Sequence, residues 1–419
     1  MKTRIAALTF VALVATLSAF ADVPDLTAQL EYLGNPNASR WPSSALARHV
    51  QDLVPYQGKI FTSGGEWGKN LGPCPCFAVD PHSGGFVDEF DAGTDSIYEF
   101  KEFSDGRLHA SAVDMHEGAA NLGSSFRRET DGTWRAFYTG CGSCNITNFG
   151  SMAYEGYKIH SWDMAEFNGT VFLAGYGISA STNWCEKAMF DATPQLRDTI
   201  RYLGSVRYQS GGYSYYAPNY SVDRRFCAFL PFDDDIFCFP IQPAFNGDIQ
   251  HFDSWEEWRW NASAKRFECQ ENSWSGVAPG LTAASASLVF PSNGVTDVQL
   301  WHPTKFGCRV LYILGDHTYN VRPWAAYSAV NENHHVKATK IDLGGDDVKP
   351  FDVFSDGAAA YIVAAQAGIE ATLVTNSVWK STDGLSFTKM FTFVSTRHAS
   401  AICRRSSEFA ATPPAIAAF

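Results

Sequence analysis

His49-Val-Gln-Asp52-Leu-Val-Pro-Tyr56-Gln-Gly58-Lys-Ile60-Phe61 and His160-Ser-Trp-Asp163-Met-Ala-Glu-Phe167-Asn-Gly169-Thr-Val171-Phe172 align without a gap. His, Asp, an aromatic, Gly, a β-branched residue and Phe recur at matching places. Phe103-Ser104-Asp105-Gly106 likewise recurs word for word as Phe354-Ser355-Asp356-Gly357. Phe232-Asp-Asp234-Asp-Ile236-Phe237 and Phe306-Gly307-Cys-Arg-Val310-Leu-Tyr312 are weaker copies. Each reads as a hairpin: a strand, a turn carrying Gly or Asp, then a strand rich in Ile, Val, Phe and Tyr.

A second turn follows each of these at a similar distance: Asp80 to Phe86, Thr130-Asp131-Gly132, Asn261 to Phe267 and Ser381-Thr382-Asp383-Gly384. Asp191 and Asn331 are poorer candidates for the same place. The repeating unit is therefore two successive hairpins, or four antiparallel strands. First turns at 58, 106, 169, 234, 307 and 357 mark six such units. Units of this length bury their faces by stacking round an axis, so the expected fold is an all-β propeller of six blades, with five or seven as alternatives. Arg397-His398-Ala399 echoes Arg48-His49-Val50 and predicts a further inner strand near the C-terminus. The stretch Leu26 to Leu33 could then close the ring as a strand of the last blade, leaving no open edge. The propeller is expected over residues 22–405, followed by a loose tail over 406–419, which carries no pattern.

Composition agrees. Aromatics at 14% and 34 Gly, against only 18% charged residues, suit many short strands and tight turns. The net charge of −12 is spread out, so neither nucleic acid nor an anionic membrane is an expected partner. At the N-terminus, Lys2 and Arg4 precede an uncharged run from Ile5 to Leu17, and Ser18-Ala19-Phe20-Ala21 ends in a small-x-small pattern. That reads as a signal peptide over residues 1–21, cleaved after Ala21, and so as a secreted or periplasmic protein. The run falls short of the ~20 residues that span a bilayer.

Ser381-Thr-Asp383-Gly384-Leu-Ser-Phe387 resembles the Asp-box turn of sialidase-type propellers, one residue short, and Thr130-Asp131-Gly132-Thr-Trp134 is a shorter relative. The resemblance implies a structural part for Asp131 and Asp383, whose carboxylates accept backbone N–H bonds inside the turn. The segment Gly64-Gly65-Glu66-Trp67-Gly-Lys-Asn70-Leu-Gly72-Pro73, with Asp114 and His160, looks like a little-described set of exported bacterial propellers. That set implies no particular activity.

Ligand sites on propellers lie at loops round the axis. Glu66, Trp67, Asn70, Asp114, His116, Glu117 and His160 are the ligand-binding candidates, with Glu66 and Glu117 a conceivable acid/base pair. The twice-repeated His-x-x-Asp of His49/Asp52 and His160/Asp163 reads instead as a blade-to-blade hydrogen-bonding pair, because packing residues recur with a repeat and catalytic ones seldom do. A sialidase needs an arginine cluster, a Tyr nucleophile and an Asp acid. Arginines and tyrosines are present, but the Arg-Ile-Pro opening is missing. The expected function is ligand binding at the axial funnel, with a glycan or glycoconjugate the partner and loop aromatics stacking on sugar rings. A sialidase-like hydrolase and a protein-binding scaffold are the alternatives. A monomer without cofactor or metal is expected. Ten cysteines in an exported chain argue for disulfides, with Cys227–Cys238 across one hairpin named first. The competing reading is a zinc site built from Cys74, Cys76, Cys141 and Cys144.

Overall fold

The computed structural model describes residues 23–29, 36, 50–65, 74–80, 83, 85–115, 125–137, 146–149, 152–154, 156–179, 185–191, 201–206, 226–240, 242–243, 255–281, 297–316, 322–366, 373–396, 399, 401–404 and 415–418. Among them the fold is all-β, built from antiparallel four-stranded sheets in a propeller arrangement.

The first sheet runs β1 (Val50–Tyr56), β2 (Lys59–Gly64), β3 (Pro75–Val79), β4 (Phe86–Asp91). The next run is β5 (Thr94–Glu102), β6 (Leu108–Met115), β7 (Ser125–Arg128), β8 (Trp134–Phe137). A two-stranded pair, β9 (Ile146–Phe149) and β10 (Met152–Tyr154), intervenes before β11 (Gly156–Phe167), β12 (Thr170–Ser179), β13 (Cys185–Asp191) and β14 (Arg201–Val206). Then come β15 (Phe226–Pro231), β16 (Ile236–Pro240), the short β17 (Gln242–Pro243), β18 (Trp255–Asn261) and β19 (Arg266–Asn272). One turn of helix, α1 (Trp274–Val277), leads to β20 (Asp297–Phe306), β21 (Arg309–Asp316), β22 (Arg322–Glu332) and β23 (His335–Lys340). The last full run is β24 (Val348–Ser355), β25 (Ala360–Gln366), β26 (Val374–Ser381), β27 (Thr388–Ser395), followed by β28 (Ala401–Arg404) and β29 (Ala415–Ala418).

Counted as sheets of four or more strands there are five; counted as four-stranded runs there are six. The difference is one eight-stranded sheet, in which β5–β8 and β11–β14 join through the single pairing His160↔Val113. Each first turn read from the repeats, at 58, 106, 169, 234, 307 and 357, lies between the first and second strands of its run. Gln57-Gly58 (φ 49° and 75°) and Asn168-Gly169 (φ 50° and 73°) have the two positive φ angles of a type I′ turn, whose twist matches the strands it joins.

The sheets face one another through separate apolar layers, which is why the chain needs the whole ring to bury itself. Phe61 and Ala78 of the first run meet Ile97, Phe100 and Leu108 of the second. Phe172 and Ala174 meet Phe229 and Ile236, while Leu311 and Ile313 meet Val353 and Ile362. At the seam, β28 packs between β24 and β1: Ala401 and Cys403 cover Val50, Leu53 and Ile60. The further inner strand expected after Arg397-His398-Ala399 is therefore present.

Ring closure and the tail differ from expectation in detail. The N-terminal segment does join the last full run, but through Pro24 to Thr27, alongside the outer strand β27: Leu26 N–H donates to Thr392 O (2.8 Å) and Thr392 N–H to Pro24 O (2.9 Å). The pairing is parallel at Asp25↔Thr392. The tail expected to be loose contributes β29, paired with β28, because the edge of that short strand offers unsatisfied backbone groups to the apolar Ala415–Ala418. Among the described residues no helix is long and apolar enough to cross a membrane. The signal-peptide residues 1–21 lie outside the described residues.

The bridge expected between Cys227 and Cys238 is not formed in this structure. Cys227 and Cys238 are both buried thiols. They do lie on adjacent strands, but the register of β15 shifts between Phe226 and Ala228. The extra residue turns Cys227 to the face it shares with Leu230 and Phe239, while Cys238 lies with Phe226, Phe229 and Ile236 on the other. Among the described residues Cys74, Cys76, Cys308 and Cys403 are thiols too, and no cluster of His, Cys, Asp and Glu is placed to hold a metal ion; Cys141 and Cys144 of the zinc reading lie outside the described residues.

Candidate functional site

All six first strands carry a register shift near their middle. It falls between Val50 and Leu53, Ile97 and Glu99, Ser161 and Asp163, Phe226 and Ala228, Trp301 and Thr304, and Pro350 and Asp352. A β-bulge inserts one residue and re-aims the side chains beside it. Here, just beyond the shift, strands from all round the ring enclose a pocket of about 420 Å³. Its titratable lining comes from five of them: Asp52 from β1; Glu99, Lys101 and Glu102 from β5; Glu166 from β11; His302 and Lys305 from β20; Asp352 from β24. The volume is that of a small-ligand site.

The buried charges are closely organised. Lys101 Nζ donates to Asp163 Oδ1 (2.5 Å) and lies 3.3 Å from Glu99 Oε2. Asp163, almost fully buried, also accepts from the backbone N–H of Met164 (2.6 Å) and, through Oδ2, of Phe229 in the next run (2.6 Å). Asp52 Oδ2 accepts from Phe100 N–H, again in the next run (2.7 Å). The aspartates of the repeated His-x-x-Asp thus bond from blade to blade, through backbone N–H groups of the next run; His49 lies outside the described residues. On the far side His302 Nδ1 stands 3.5 Å from Asp352 Oδ1, which accepts from Val353 N–H (2.7 Å).

Burial sets the protonation states. It pushes Asp52 up to about 6, against the pull of the Phe100 and Leu53 N–H groups and of Lys101. It holds the Glu99 carboxyl well above the usual range, Lys101 opposing and the neighbouring Asp163 carboxylate adding to the effect. Burial also works against the Lys101 ammonium, but Asp163 and Glu99 outweigh it and raise that group. His302 is driven down to about 4 by burial and by Lys101. At neutral pH the pocket holds a neutral His302 beside charged Lys101 and Asp52, with Glu99 biased toward its protonated form by burial. Hydrogen-bond donors and acceptors are both offered to whatever enters.

Of the ligand-binding residues chosen from sequence, Asp114 and His160 are described, and neither lines this pocket. Glu66, Trp67, Asn70, His116 and Glu117 fall outside the described residues. Asp114 lies near the end of β6 and His160 on β11, and the ladder brings them together: Gly65 pairs with Ser96, Ser96 with Val113, and Val113 with His160. This backbone chain runs across the end of the first strands remote from the first turns, whereas the pocket lies toward the turns. Gly65 is essential to it, since a Cβ there would sit 2.2 Å from the Asp95 carbonyl oxygen. Asp383 caps its turn as expected: Leu385 and Ser386 N–H and Ser381 Oγ–H all donate to Oδ1 at 2.8 Å. Asp131 does so more modestly, accepting from Thr133 N–H (2.9 Å) and Oγ–H (2.6 Å).

Glu99, Lys101, His302 and Asp352 escaped the sequence reading. A signal was available: Asp52, Lys101, Asp163, His302 and Asp352 stand five or six residues before the first-turn glycine of their units. A charge or imidazole thus stands in that stretch of five of six first strands, and the ladders place Glu99, Asp163 and Asp352 alike, directly after the inserted residue.

No protein-family model matches this chain, and no curated protein matches it in sequence. Among solved structures it is similar to an ulvan lyase, a polysaccharide lyase, with a TM-score of 0.42 at 10% identity over 88% of this chain and 86% of that one. A hypothetical selenium-binding protein from Sulfolobus tokodaii gives 0.46 at 10% identity over 82% and 76%. The extracellular domain of a one-component system from B. thetaiotaomicron gives 0.34 at 8% over 87% of this chain; the chain spans about half of that domain's length, 52%. These likenesses are loose in sequence and in superposition, and none bears on the chemistry of the pocket.

Proposed function

We propose that this chain is an exported propeller that binds a glycan, one or two sugar residues deep, in the axial pocket beside the first turns. The observation that carries the reading is the convergence of charged side chains from five first strands on one cavity of about 420 Å³, Asp52 and Asp352 buried, Glu99, Lys101, Glu166 and His302 half-buried, Glu102 and Lys305 exposed. Sugar hydroxyls both donate and accept, and this wall offers both: Lys101 as a donor, Asp52 and Asp352 as acceptors. Among the described residues no arginine lines this pocket, which gives the sialidase-like alternative no support there. A second reading puts the ligand at the opposite end, at Asp114 and His160 with Glu66, Trp67, Asn70, His116 and Glu117. The ladder through Gly65, Ser96, Val113 and His160 favours it.

A glycan array followed by a hydrolysis screen on the hits tests the proposal. Binding of neutral or amino sugars without turnover is the expected result. Release of product would make the chain a hydrolase, and silence across the array would leave the protein-scaffold reading standing.

A further inference from the structure

Tyr98 Oη and Gln299 Nε2 are 3.0 Å apart, yet their strands do not adjoin. Round the ring, β11 and β15 separate β5 from β20 on one side, and β24, β28 and β1 on the other. The hydrogen bond therefore spans the axis. Tyr98 is the residue inserted at the bulge of β5, and its counterparts in β11 and β15 are Trp162 and Cys227. The three lie together: Trp162 stands edge-on to Tyr98 at 5.0 Å between ring centres, and Tyr98 packs on the apolar cluster that holds Trp162, Cys227 and Leu300. Gln299 is buried, 3% exposed. In these four strands the pocket lining begins further along, toward the first turns, at Glu99, Ala165, Pro231 and His302.

We propose that Tyr98 and Gln299, with Trp162 and Cys227 beneath them, form a floor that closes the axis and makes the pocket blind. A blind pocket admits the end of a chain and rejects its middle. Tyr98 and Gln299 are then specificity-determining, setting depth by their bond across the axis. The end-on part of this inference rests on the glycan reading above; the floor itself does not.

Cys227 supplies a readout independent of ligand. Its thiol lies at the floor, whereas Cys238 is buried on the other face of the same sheet and reports loosening of the blade. Labelling by methyl methanethiosulfonate, located by mass spectrometry of chymotryptic peptides, should be slow at both in the native protein. Tyr98→Ala should speed Cys227 at least about tenfold and leave Cys238 unchanged, while Tyr98→Phe, which keeps the ring, should change Cys227 far less. Native labelling of Cys227 as fast as that of the exposed Cys308, or a rise at both buried thiols together, would overturn the floor. For the end-on claim the probes are short and long linear oligosaccharides of the gluco, galacto and N-acetylglucosamino series. One protein per chain at every length supports it, and a ratio that grows with length contradicts it. Failure of every series to bind would sink the glycan reading and leave the thiol measurement to decide the floor.

Discussion

Asp52 shows how a single carboxylate can serve as both joint and sensor. Its bond to Phe100 N–H ties the first run to the second, yet burial raises its folded pKa to about 6 from 3.8. A raised folded pKa means that stability is fully present below the unfolded value near 4 and is lost as pH rises through about 6. Asp52→Asn should therefore flatten the fall in stability between those limits, a difference on the order of 2–3 kcal/mol from the size of the shift. Denaturant titrations of both proteins across that range check it; parallel curves would refute it. Asp383 behaves oppositely. The N–H groups of Ser386 and Leu385, and the Ser381 hydroxyl, hold its pKa well below the ordinary carboxylate range. Its stabilising effect is present above an unfolded pKa near 4 and is lost as pH falls below that. Asp383→Ala should lower the melting temperature by a few degrees at neutral pH, and by less in acid. Equal losses at both would contradict the cap.

At the scale of the element, the bulge decides what sequence could and could not show. Hairpins were legible because turn chemistry is local: Asn168-Gly169 favours the paired positive φ angles of a two-residue turn, and Gly58 lends itself to the same turn after Gln57. Bulges are not, since an inserted residue leaves the composition of a strand unchanged while turning its neighbours to another face. Cys227 and Cys238 look like cross-strand partners if the turn is centred on Phe232-Asp233, but the ladder pairs Cys238 with Phe229, and the shift at Phe226/Ala228 turns Cys227 to the other face. The same device gathers Lys101, Asp163 and His302 about the axis, so the pocket escaped a reading that treated the strands as regular. It also makes Asp163 a clamp between three runs, through Lys101 and Phe229 N–H. Asp163→Ala leaves a buried ammonium facing only Glu99, and it should cost about 3–5 kcal/mol, as loss of one partner of a buried pair does. An effect below about 1 kcal/mol in chemical denaturation would show that the clamp is slack.

Across the whole molecule, repetition made the architecture readable and closure made it particular. Six first turns spaced along the chain implied stacked four-stranded units before any contact was known, because such units cannot bury both faces alone. Less legible was the seam, where β28, β29 and the Pro24–Thr27 segment complete the ring from both chain ends by backbone pairing that leaves little trace in side-chain pattern. Removing residues 397–419 uncovers Val50, Leu53 and Ile60 and should lower the melting temperature and broaden the transition; an unchanged transition would mean that the seam is incidental. Thiol titration of denatured, unreduced protein should find at least the six described thiols, and fewer would restore a disulfide framework. The central claim is that ligand enters the axial pocket on the first-turn side. Ser355 lines that pocket at the end of β24, and a bulky ring there would fill it. The decisive measurement is the affinity of the best array glycan for Ser355→Trp and for Asp114→Ala, each checked for an unchanged melting temperature. The account predicts at least about a hundredfold loss for Ser355→Trp and a change within about threefold for Asp114→Ala. Full affinity in Ser355→Trp with loss in Asp114→Ala would place the site at the opposite end and contradict it.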